Sequence, residues 1–228
     1  MDDLTVLVFP GLDGSDTLLR EFVAAAPAKF NVRTITLPDA TSYWELAEKL
    51  DSAVLQAGPC VLIGESFSGP LAILLAQHHP SLVKHLVLTA TFATPPIPSI
   101  TKYLPWSLLF RMPLPRFAAR LLIGDHDHLL LPLREAVKMQ SARIKAKRIS
   151  MVATTNVVVP LLKVKCPITY LAPTRDRLVH QRHGLAISKT NQSSQIRHID
   201  GPHLILQACP EACWAEIRAA IEMDKPQQ

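Results

Sequence analysis

Two serines lie between two apolar runs in the segment VLIGESFSGPLAILLA, residues 61–76. A serine hydroxyl attacks a carbonyl carbon only when a base takes its proton and hydrogen-bond donors stabilise the resulting oxyanion. A sharp strand-to-helix turn presents such a serine if the residues two before and two after it are small. Ser66 meets this requirement, with Gly64 before it and Ser68 after it. The competing interpretation is that either serine only caps the following helix.

Ser66 is a better candidate nucleophile than Ser68. Ser68 would have Pro70 two residues after it, and a proline ring is bulky for a tight turn. Pro70 instead fits the first turn of a helix, where its missing N–H costs nothing. The segment by itself does not separate a nucleophile from a helix cap, so the decision depends on partners elsewhere in the chain.

An acid and a base follow two later strand-like runs. Asp176 comes after ITYLA in the loop PTRDRLV, and His203 comes after QIRHI in the loop DGPHLILQ. A triad built on a parallel sheet runs in the order nucleophile, acid and base, with the last two on loops after later strands. We expect Asp176 to orient the His203 imidazole while this ring shuttles the proton of Ser66. Asp200 precedes a glycine, and we interpret it as a turn residue.

The segment FPGLDGS, residues 9–15, carries two glycines directly after the first strand-like run. Its spacing differs from the phosphate-binding pattern G-x-G-x-x-G. We predict an oxyanion loop in which the backbone N–H of Leu12 is one donor and that of Phe67 is the other. The alternative is an ordinary strand-to-helix turn capped by Asp13 or Ser15.

No pattern indicates a metal or an organic cofactor. The cluster DHDH, residues 125–128, does not match a common zinc spacing. The four cysteines lack a C-x-x-C pair, and we interpret them as small buried apolar side chains. They are Cys60, Cys166, Cys209 and Cys213.

Short apolar, β-branched-rich runs alternate along the chain with segments of helical periodicity. The predicted strands are 4–9, 32–37, 60–64, 85–90, 168–172 and 195–199. The predicted helices between them are 16–26, 44–56, 70–78, 180–190 and 210–222. This alternation predicts an α/β fold with a mostly parallel six-stranded sheet flanked by helices on both faces. At 228 residues, the chain is expected to form one domain, residues 1–228.

Residues 91–132 interrupt the alternation. Prolines at positions 95, 96, 98, 105, 113 and 115 exclude one long helix, yet the segment is rich in leucine. It either packs onto the domain as irregular core or forms a lid over a pocket. Its position after the fourth strand favours a lid, because ligands of open α/β sheets bind beyond the carboxyl ends of the strands. We predict that Trp106 and Phe110 in this lid contact substrate.

The formal net charge of +5 raises the question of an anionic partner. Much of the excess comes from KMQSARIKAKR, residues 138–148, which we interpret as the solvated face of a helix. No aromatic residues are interleaved with these cations, and no nucleic-acid-binding motif is present, so we expect no nucleic-acid partner. Attraction of an anionic substrate or a membrane surface is the alternative.

The distribution of apolar residues gives an expectation for location. No uninterrupted apolar run reaches the roughly 18–20 residues needed to cross a bilayer. The chain opens with Met-Asp-Asp and continues directly into LTVLVF, without the basic region of a signal peptide. We therefore expect a soluble, cytoplasmic protein without a transmembrane segment.

Four motifs in chain order resemble those of the α/β-hydrolase superfamily, and more narrowly its small, short-lidded serine hydrolases of the esterase or thioesterase type. These motifs are FPGLDGS, IGESFSG, LAPTRDRLV and DGPHLILQ, and the match spans nearly the whole chain. The resemblance implies a single-domain α/β-hydrolase fold with strand order 2-1-3-4-5-6. It also implies Ser66 as nucleophile, Asp176 as acid, His203 as base, and backbone donors at Leu12 and Phe67.

Two positions depart from the pattern of that superfamily. Many relatives have a histidine before the first glycine of the oxyanion loop, where this chain has Pro10. The second small residue of the turn is Ser68, where glycine is usual. The first departure bears on which backbone donor the oxyanion loop supplies, and the second bears on the shape of the turn.

From these residues we expect a serine hydrolase that cleaves a small-molecule carboxylic ester or thioester through an acyl-enzyme on Ser66, with no cofactor. Two alternatives stay open. The same triad is compatible with an acyltransferase that passes the acyl group to an acceptor other than water. A hydrolase-like ligand-binding or signalling protein with little turnover is the second, since a fold does not fix a function.

Overall fold

The computed structural model describes residues 4–223, and its sheet is built from six strands within that range. These are β1 (Leu4–Phe9), β2 (Phe30–Thr34), β3 (Cys60–Glu65), β4 (Val83–Thr89), β5 (Ile168–Pro173) and β6 (Ser194–Ile199). All neighbouring strands pair in parallel, in the order β2-β1-β3-β4-β5-β6. The predicted α/β class and strand order are therefore confirmed, and the sheet is entirely parallel where the sequence predicted a mostly parallel one.

Helices flank the sheet and fill the long connection between β4 and β5. They are α1 (Arg20–Ala24), α2 (Tyr43–Ala57), α3 (Gly69–His78), α4 (Trp106–Leu109), α5 (Arg116–Ile123), α6 (Leu130–Met139), α7 (Ala142–Thr154), α8 (Val158–Lys163), α9 (Arg182–Thr190), α10 (Ile205–Ala208) and α11 (Pro210–Met223). Short 3₁₀ turns occupy Thr17–Leu19, Ser66–Ser68, Ser99–Tyr103 and Asp127–Leu129. None of the helices in residues 4–223 has the length and apolar character needed to cross a membrane.

Two apolar cores lie on opposite faces of the sheet, because successive strand side chains point to opposite sides. Leu7 and Leu62 face the core shared with α2, α3, α8 and α9. Val8 and Ile63 face the core shared with α1 and α11. In this second core the Trp214 ring stacks on Phe22 and Phe30, with centroid distances of 4.7 and 5.5 Å. Helices on both faces explain why β3 is buried along its whole length.

The predicted lid, residues 91–132, lies in the connection between β4 and β5. Its prolines break it into short elements, as predicted. The last of these, α6, runs past residue 132, the predicted end of the lid, to Met139. Helices α5 and α6 share a small apolar core through Ala119 and Leu133, which also includes Leu18 and Leu204. Helix α4 packs on α7. The segment is thus attached to the domain through α4 at its start and through α5 and α6 at its end.

Two local expectations differ from the structure. The second strand was expected at 32–37, but β2 covers Phe30–Thr34, and the Leu37 amide donates to the Gly14 carbonyl (2.9 Å) and leaves the ladder. The interpretation of residues 138–148 as a solvated helix face is wrong for two of its cations. Lys145 and Arg148 on α7 are buried, with 5% and 3% of their surface exposed, because α4 and the loop after β1 cover them.

Parallel pairing brings the carboxyl ends of all six strands to one edge of the sheet. The loops that follow β1, β3, β5 and β6 therefore begin at the same edge. These four loops contain the residues predicted for the triad and the oxyanion donors, and the sheet brings residues separated by more than a hundred positions close together.

Candidate active site

The turn between β3 and α3 is tight, and Ser66 lies at its sharpest point. Ser66 has a φ of +48°, a left-handed conformation that non-glycine residues rarely adopt outside special turns. A Cβ atom added to Gly64 would lie 2.7 Å from the Ala72 Cβ and 2.8 Å from the Ser68 carbonyl oxygen. Only glycine therefore allows the strand and the helix to approach this closely. The turn, which we call the elbow, therefore has the sharp strand-to-helix geometry that the sequence predicted around Ser66.

Ser68 has a different role in the same turn. It is fully buried, and its hydroxyl donates to the carbonyl oxygen of Pro10 in the loop after β1. Although Ser68 stands at the N-cap of α3, its side chain makes no capping hydrogen bond. The hydroxyl thus joins the elbow to the first loop, which a glycine at this position would not do.

The three residues predicted to form a triad lie within hydrogen-bonding distance of one another. Ser66 Oγ is 2.9 Å from His203 Nε2, and His203 Nδ1 is 2.8 Å from Asp176 Oδ2. The His203 and Asp176 side chains are only 4% and 1% exposed. A carboxylate accepts hydrogen bonds and donates none, so it holds the proton on Nδ1 and leaves Nε2 free to accept from the serine.

The Asp176 carboxylate is fixed by its own loop. Its Oδ1 accepts from the backbone N–H groups of Leu178 (2.8 Å) and Val179 (3.0 Å), while Oδ2 bonds to His203. Asp200, at the start of the loop that carries His203, is 77% exposed and pairs with Arg175 at 3.0 Å. Its position agrees with the interpretation as a turn residue.

The loop after β1, residues 10–15, which we call the β1 loop, is held by a buried guanidinium. Arg148 donates from Nη1 to the Leu12 carbonyl (2.8 Å) and from Nη2 to the Leu37 carbonyl (3.1 Å). Gly14 has a φ of +69°, and any Cβ there would overlap the Arg148 guanidinium. Arg148 therefore fixes the course of the loop. Its function was missed from the sequence because its partners lie more than a hundred residues away.

Within the β1 loop, Asp13 and Ser15 form the expected turn contacts. The Asp13 Oδ2 atom accepts from the Ser15 amide (3.0 Å) and from the Ser15 hydroxyl (2.6 Å). Burial raises the pKa of Asp13, while the Ser15 hydrogen bonds and the Arg148 charge act in the opposite direction. Gly11 and Leu12 line a cavity that also exposes Ser66. The same short loop therefore contains both the Asp13–Ser15 turn contacts and the residues predicted to supply the oxyanion donor.

Phe67, the residue after Ser66, is fixed by contacts on two sides. Its carbonyl oxygen accepts from the Tyr43 hydroxyl at 2.9 Å, and its ring is 5.1 Å from the Tyr43 ring. The Arg148 guanidinium lies 5.7 Å from the Phe67 ring centroid. Both loops that carry the predicted oxyanion donors therefore contact the same arginine.

Thr91 supports the elbow from the end of β4, and it was not identified from the sequence. Its hydroxyl donates to the Ser66 carbonyl oxygen. Its own amide donates to the Tyr170 hydroxyl (3.1 Å), which donates in turn to the Thr91 carbonyl (2.9 Å). Thr91 thereby connects the elbow with β5, the strand that leads to Asp176.

Glu65, directly before Ser66, is a buried acid. Gln207 Nε2 donates to its Oε2 at 3.1 Å, and its Oε1 has no hydrogen-bond partner among the described residues. Burial raises the pKa of Glu65 to about 8; the Gln207 and Gly11 hydrogen bonds lower it, and the nearby Asp13 carboxyl raises it. Glu65 is therefore protonated at neutral pH.

A cavity of about 470 Å³ opens onto the serine and the histidine. Its floor carries Ser66 and His203, and its walls are mainly apolar side chains of the lid. Trp106 and Phe110 both line it, with their rings stacked at a centroid distance of 5.9 Å. The Leu204 amide next to His203 donates to the Leu122 carbonyl of α5 at 3.0 Å, which fixes the lid to the histidine loop.

The other histidines lie in different environments. His78 and His79 contact Asp51 at 3.2 and 2.9 Å, and His85 contacts Thr169 at 2.8 Å. In the DHDH cluster, Asp127 lies 4.0 Å from Arg116 and 3.8 Å from Arg120. Across residues 4–223, no group of three His, Cys, Asp or Glu side chains is arranged to hold a metal ion.

No protein-family model and no curated protein matches the sequence. Solved structures match it at low identity. A thermophilic esterase from Thermogutta terrifontis, with malate bound, is 21% identical, with a TM-score of 0.79 and coverage of 96% of this chain and 90% of that one. An enol-lactonase from Burkholderia xenovorans LB400 is 13% identical, with a TM-score of 0.81 and coverage of 97% and 92%.

An α/β hydrolase enzyme from a Medee basin deep-sea metagenome library is 13% identical, with a TM-score of 0.80 and coverage of 100% of this chain and 92% of that one. The chain therefore has the α/β-hydrolase fold, which the four sequence motifs predicted. At these identities the likeness concerns the fold alone.

Proposed function

We propose that this protein is a serine hydrolase that cleaves a carboxylic ester or thioester of a small molecule through an acyl-enzyme on Ser66. The observation that carries the proposal is the continuous hydrogen-bond relay from Ser66 Oγ through His203 to Asp176, at 2.9 and 2.8 Å. A helix cap would need neither partner. The esterase and enol-lactonase of the same fold support this reaction class.

In the acylation step, Ser66 Oγ bonds to the acyl carbon while its proton passes to His203 Nε2. The Asp176 carboxylate stabilises the imidazolium that forms. Collapse of the tetrahedral intermediate breaks the bond to the alcohol or thiol, which leaves with the proton from Nε2. In the second step a water gives its proton to Nε2 and attacks the acyl carbon, and the acid leaves as Ser66 regains its proton.

The tetrahedral intermediate carries a negative oxygen that needs donors already in place. We assign this role to the backbone N–H groups of Leu12 and Phe67, one in the β1 loop and one directly after the nucleophile. The Arg148 contact to the Leu12 carbonyl and the Tyr43 contact to the Phe67 carbonyl support the assignment, since they fix the two peptide segments. The reaction needs no metal or cofactor.

The apolar cavity favours a substrate with an apolar acyl or alcohol part. Residues 91–132 act as the lid in this proposal, and Trp106 and Phe110 form the wall nearest the apolar part of the substrate. Burying such a group is worth about 25 cal/mol for each Å² removed from water. The same apolar walls reduce the amount of water around the acyl-enzyme.

The hydrolysis of neutral p-nitrophenyl esters of increasing chain length tests the proposal. Ser66→Ala and His203→Ala should each lower kcat by about 10³-fold or more, because the relay fails without either group. His128→Ala, which changes an exposed histidine of the DHDH cluster, is the matched control and should retain wild-type turnover. A wild-type rate no higher than that of His203→Ala would contradict the proposal.

Product analysis in the presence of an added alcohol separates hydrolysis from acyl transfer. We expect free acid as the main product. A new ester as the main product, with Ser66→Ala inactive, would mean that the triad serves an acyltransferase.

A further inference from the structure

A second cavity, of about 620 Å³, adjoins the one that contains Ser66. The two share wall residues, among them Phe110, Leu114 and Lys145. Beyond these shared residues, the second cavity is lined by Arg111, Arg134 and Lys138, and its lining contains no acid. The two cavities therefore share apolar lid residues, and the second cavity adds a basic region on its own side of them.

In the part of the chain that the structure describes, the three exposed cations of this second cavity have no acidic partner. Within residues 4–223, no carboxylate lies within 4.0 Å of the charged groups of Arg111, Arg134 or Lys138, whereas two other arginines of the same region, Arg116 and Arg120, contact Asp127. All three unpaired side chains are exposed. A concave group of like charges without counter-charges concentrates the potential and attracts anions.

Lys145 lies at the boundary between the two cavities. It is 5% exposed, its Nζ donates to the Val137 carbonyl at 2.7 Å, and it lies 5.4 Å from the Phe110 ring centroid. Burial lowers the pKa of Lys145. An ammonium group has three donors, so one contact to a carbonyl leaves capacity for an anionic oxygen.

The charge of the whole chain is distributed in the same way. Residues 99–154 contain ten Lys or Arg and three Asp or Glu, against 24 and 19 in the complete chain. This segment therefore carries more positive charge than the net +5, and the rest of the chain is slightly negative. The basic region belongs to the lid, to α6 and to α7, next to the site, and not to the surface in general.

We propose that the natural substrate carries an anionic group, a carboxylate or a phosphate, separated from the scissile carbonyl by an apolar chain. The apolar chain occupies the cavity above Ser66, and the anionic group lies among Arg111, Arg134 and Lys138. This inference rests on the proposed function for the position of the scissile bond. The anion belongs either to the acyl part or to the alcohol or thiol part, and the experiment has an arm for each.

The first arm compares p-nitrophenyl decanoate with the mono-p-nitrophenyl ester of decanedioic acid, whose acyl chain ends in a carboxylate. The second compares decanoyl-coenzyme A with the decanoyl thioester of N-acetylcysteamine, which lacks the phosphates. All substrates are kept below their critical micelle concentrations, so that single molecules are compared. We expect kcat/KM to be about tenfold higher for the anionic member of at least one pair. This ratio should decrease in 0.5 M NaCl, because salt screens the attraction between the anion and the cations.

The triple variant Arg111→Gln, Arg134→Gln, Lys138→Gln should lower kcat/KM for the preferred anionic substrate by about tenfold, and at least five times more than for its neutral partner. Lys163→Gln is the matched control, because this exposed cation ends α8 and precedes the amino end of β5, at the opposite edge of the sheet. Equal kcat/KM values within both pairs, or equal losses within the pairs, would overturn the inference while leaving ester hydrolysis intact.

A binding measurement keeps the inference testable if no ester is turned over. Octyl phosphate and octanol are titrated into the Ser66→Ala protein by calorimetry. Octyl phosphate should bind at least tenfold more tightly than octanol, and the triple variant should remove this difference. Equal affinities would reject the anionic substrate independently of the proposed reaction.

Discussion

At the scale of single residues, the site combines a strained serine with three supports. The positive φ of Ser66 is compatible with folding because Gly64, Ser68 and Thr91 fix the turn around it. Strain of this kind costs of order 1–3 kcal/mol and persists only where neighbouring contacts enforce it. A turn that stores such strain is consistent with a position selected for presenting the Ser66 hydroxyl and not for local stability.

Glu65 leads to a prediction about pH. The unfolded chain ionises this carboxyl above about pH 4.5, whereas the folded protein keeps it protonated up to about pH 8. Folding thus binds a proton between these two values, so the stability of the folded state falls as pH rises through this window. Glu65→Gln keeps a neutral side chain and removes this dependence. Relative to wild type, its Tm should rise by about 10 °C between pH 5 and pH 8.5.

The matched control for Glu65 is Glu48→Gln, which changes an exposed acid on α2. Its Tm should follow that of the wild type across the same pH range. Parallel Tm curves for wild type and Glu65→Gln would contradict the idea of a protonated Glu65 in the folded protein.

The sequence predicted Ser66, Asp176 and His203 as partners because each follows a strand-like run, and parallel strands end at one edge. The structure brings the three side chains together, and their catalytic roles stay a proposal. Glu65 and Arg148 were not predicted, because their significance depends on contacts with Gln207 and Leu12, more than 130 positions away. Nothing in the local pattern distinguishes such residues from ordinary charged ones.

At the scale of elements, α7 is the helix that links the lid to the β1 loop. Ser141 caps its first turn by accepting from the Ile144 amide at 3.2 Å. Its buried face carries Lys145 toward the cavities and Arg148 toward the β1 loop, three residues apart and hence on one side of the helix. One helix therefore serves both the proposed oxyanion loop and the proposed anion site.

Arg148→Lys tests the role of α7 in positioning the β1 loop. A lysine has one ammonium group and cannot reproduce the two divergent guanidinium contacts to Leu12 and Leu37. We expect kcat for a neutral ester to fall by about tenfold or more, with a smaller change in KM, because the oxyanion donor is displaced.

Arg143→Lys, an exposed substitution on the same helix, controls for changes in α7 itself and should leave kcat near the wild-type value. Circular dichroism melting identifies any variant that fails to fold. If folded Arg148→Lys retains wild-type kcat, the β1 loop does not depend on this arginine.

Element boundaries show what periodicity predicts and what it misses. The six strands and five main helices follow from alternating apolar runs, with shifts of a few residues. The end of β2 was misplaced because the Leu37 amide bonds to Gly14 in place of a strand neighbour, which is a tertiary contact. The buried face of α7 was missed because its cations contact the Leu12 carbonyl and the Phe110 ring, which are distant in sequence.

At the scale of the whole molecule, the parallel sheet carries the proposed reacting groups, and the insertion between β4 and β5 carries the walls of the proposed substrate cavity. Exposed apolar side chains are frequent in this insertion, with Ile100, Tyr103 and Phe117 each more than 70% exposed. The same segment holds the unpaired cations. In the proposed function, the sheet edge carries catalysis and the insertion between β4 and β5 carries selectivity, so changes in this insertion should alter substrate preference more than the chemical step.

Labelling with a fluorophosphonate, followed by peptide mapping, tests the central claim most directly, since the reagent forms a covalent bond only with an activated serine. We predict one adduct, on Ser66, that is lost in Ser66→Ala and in His203→Ala. Ser68→Ala should still be labelled, since Ser68 only joins the elbow to Pro10. Labelling that persists in Ser66→Ala and disappears in Ser68→Ala, or a wild type that is never labelled, would contradict the account.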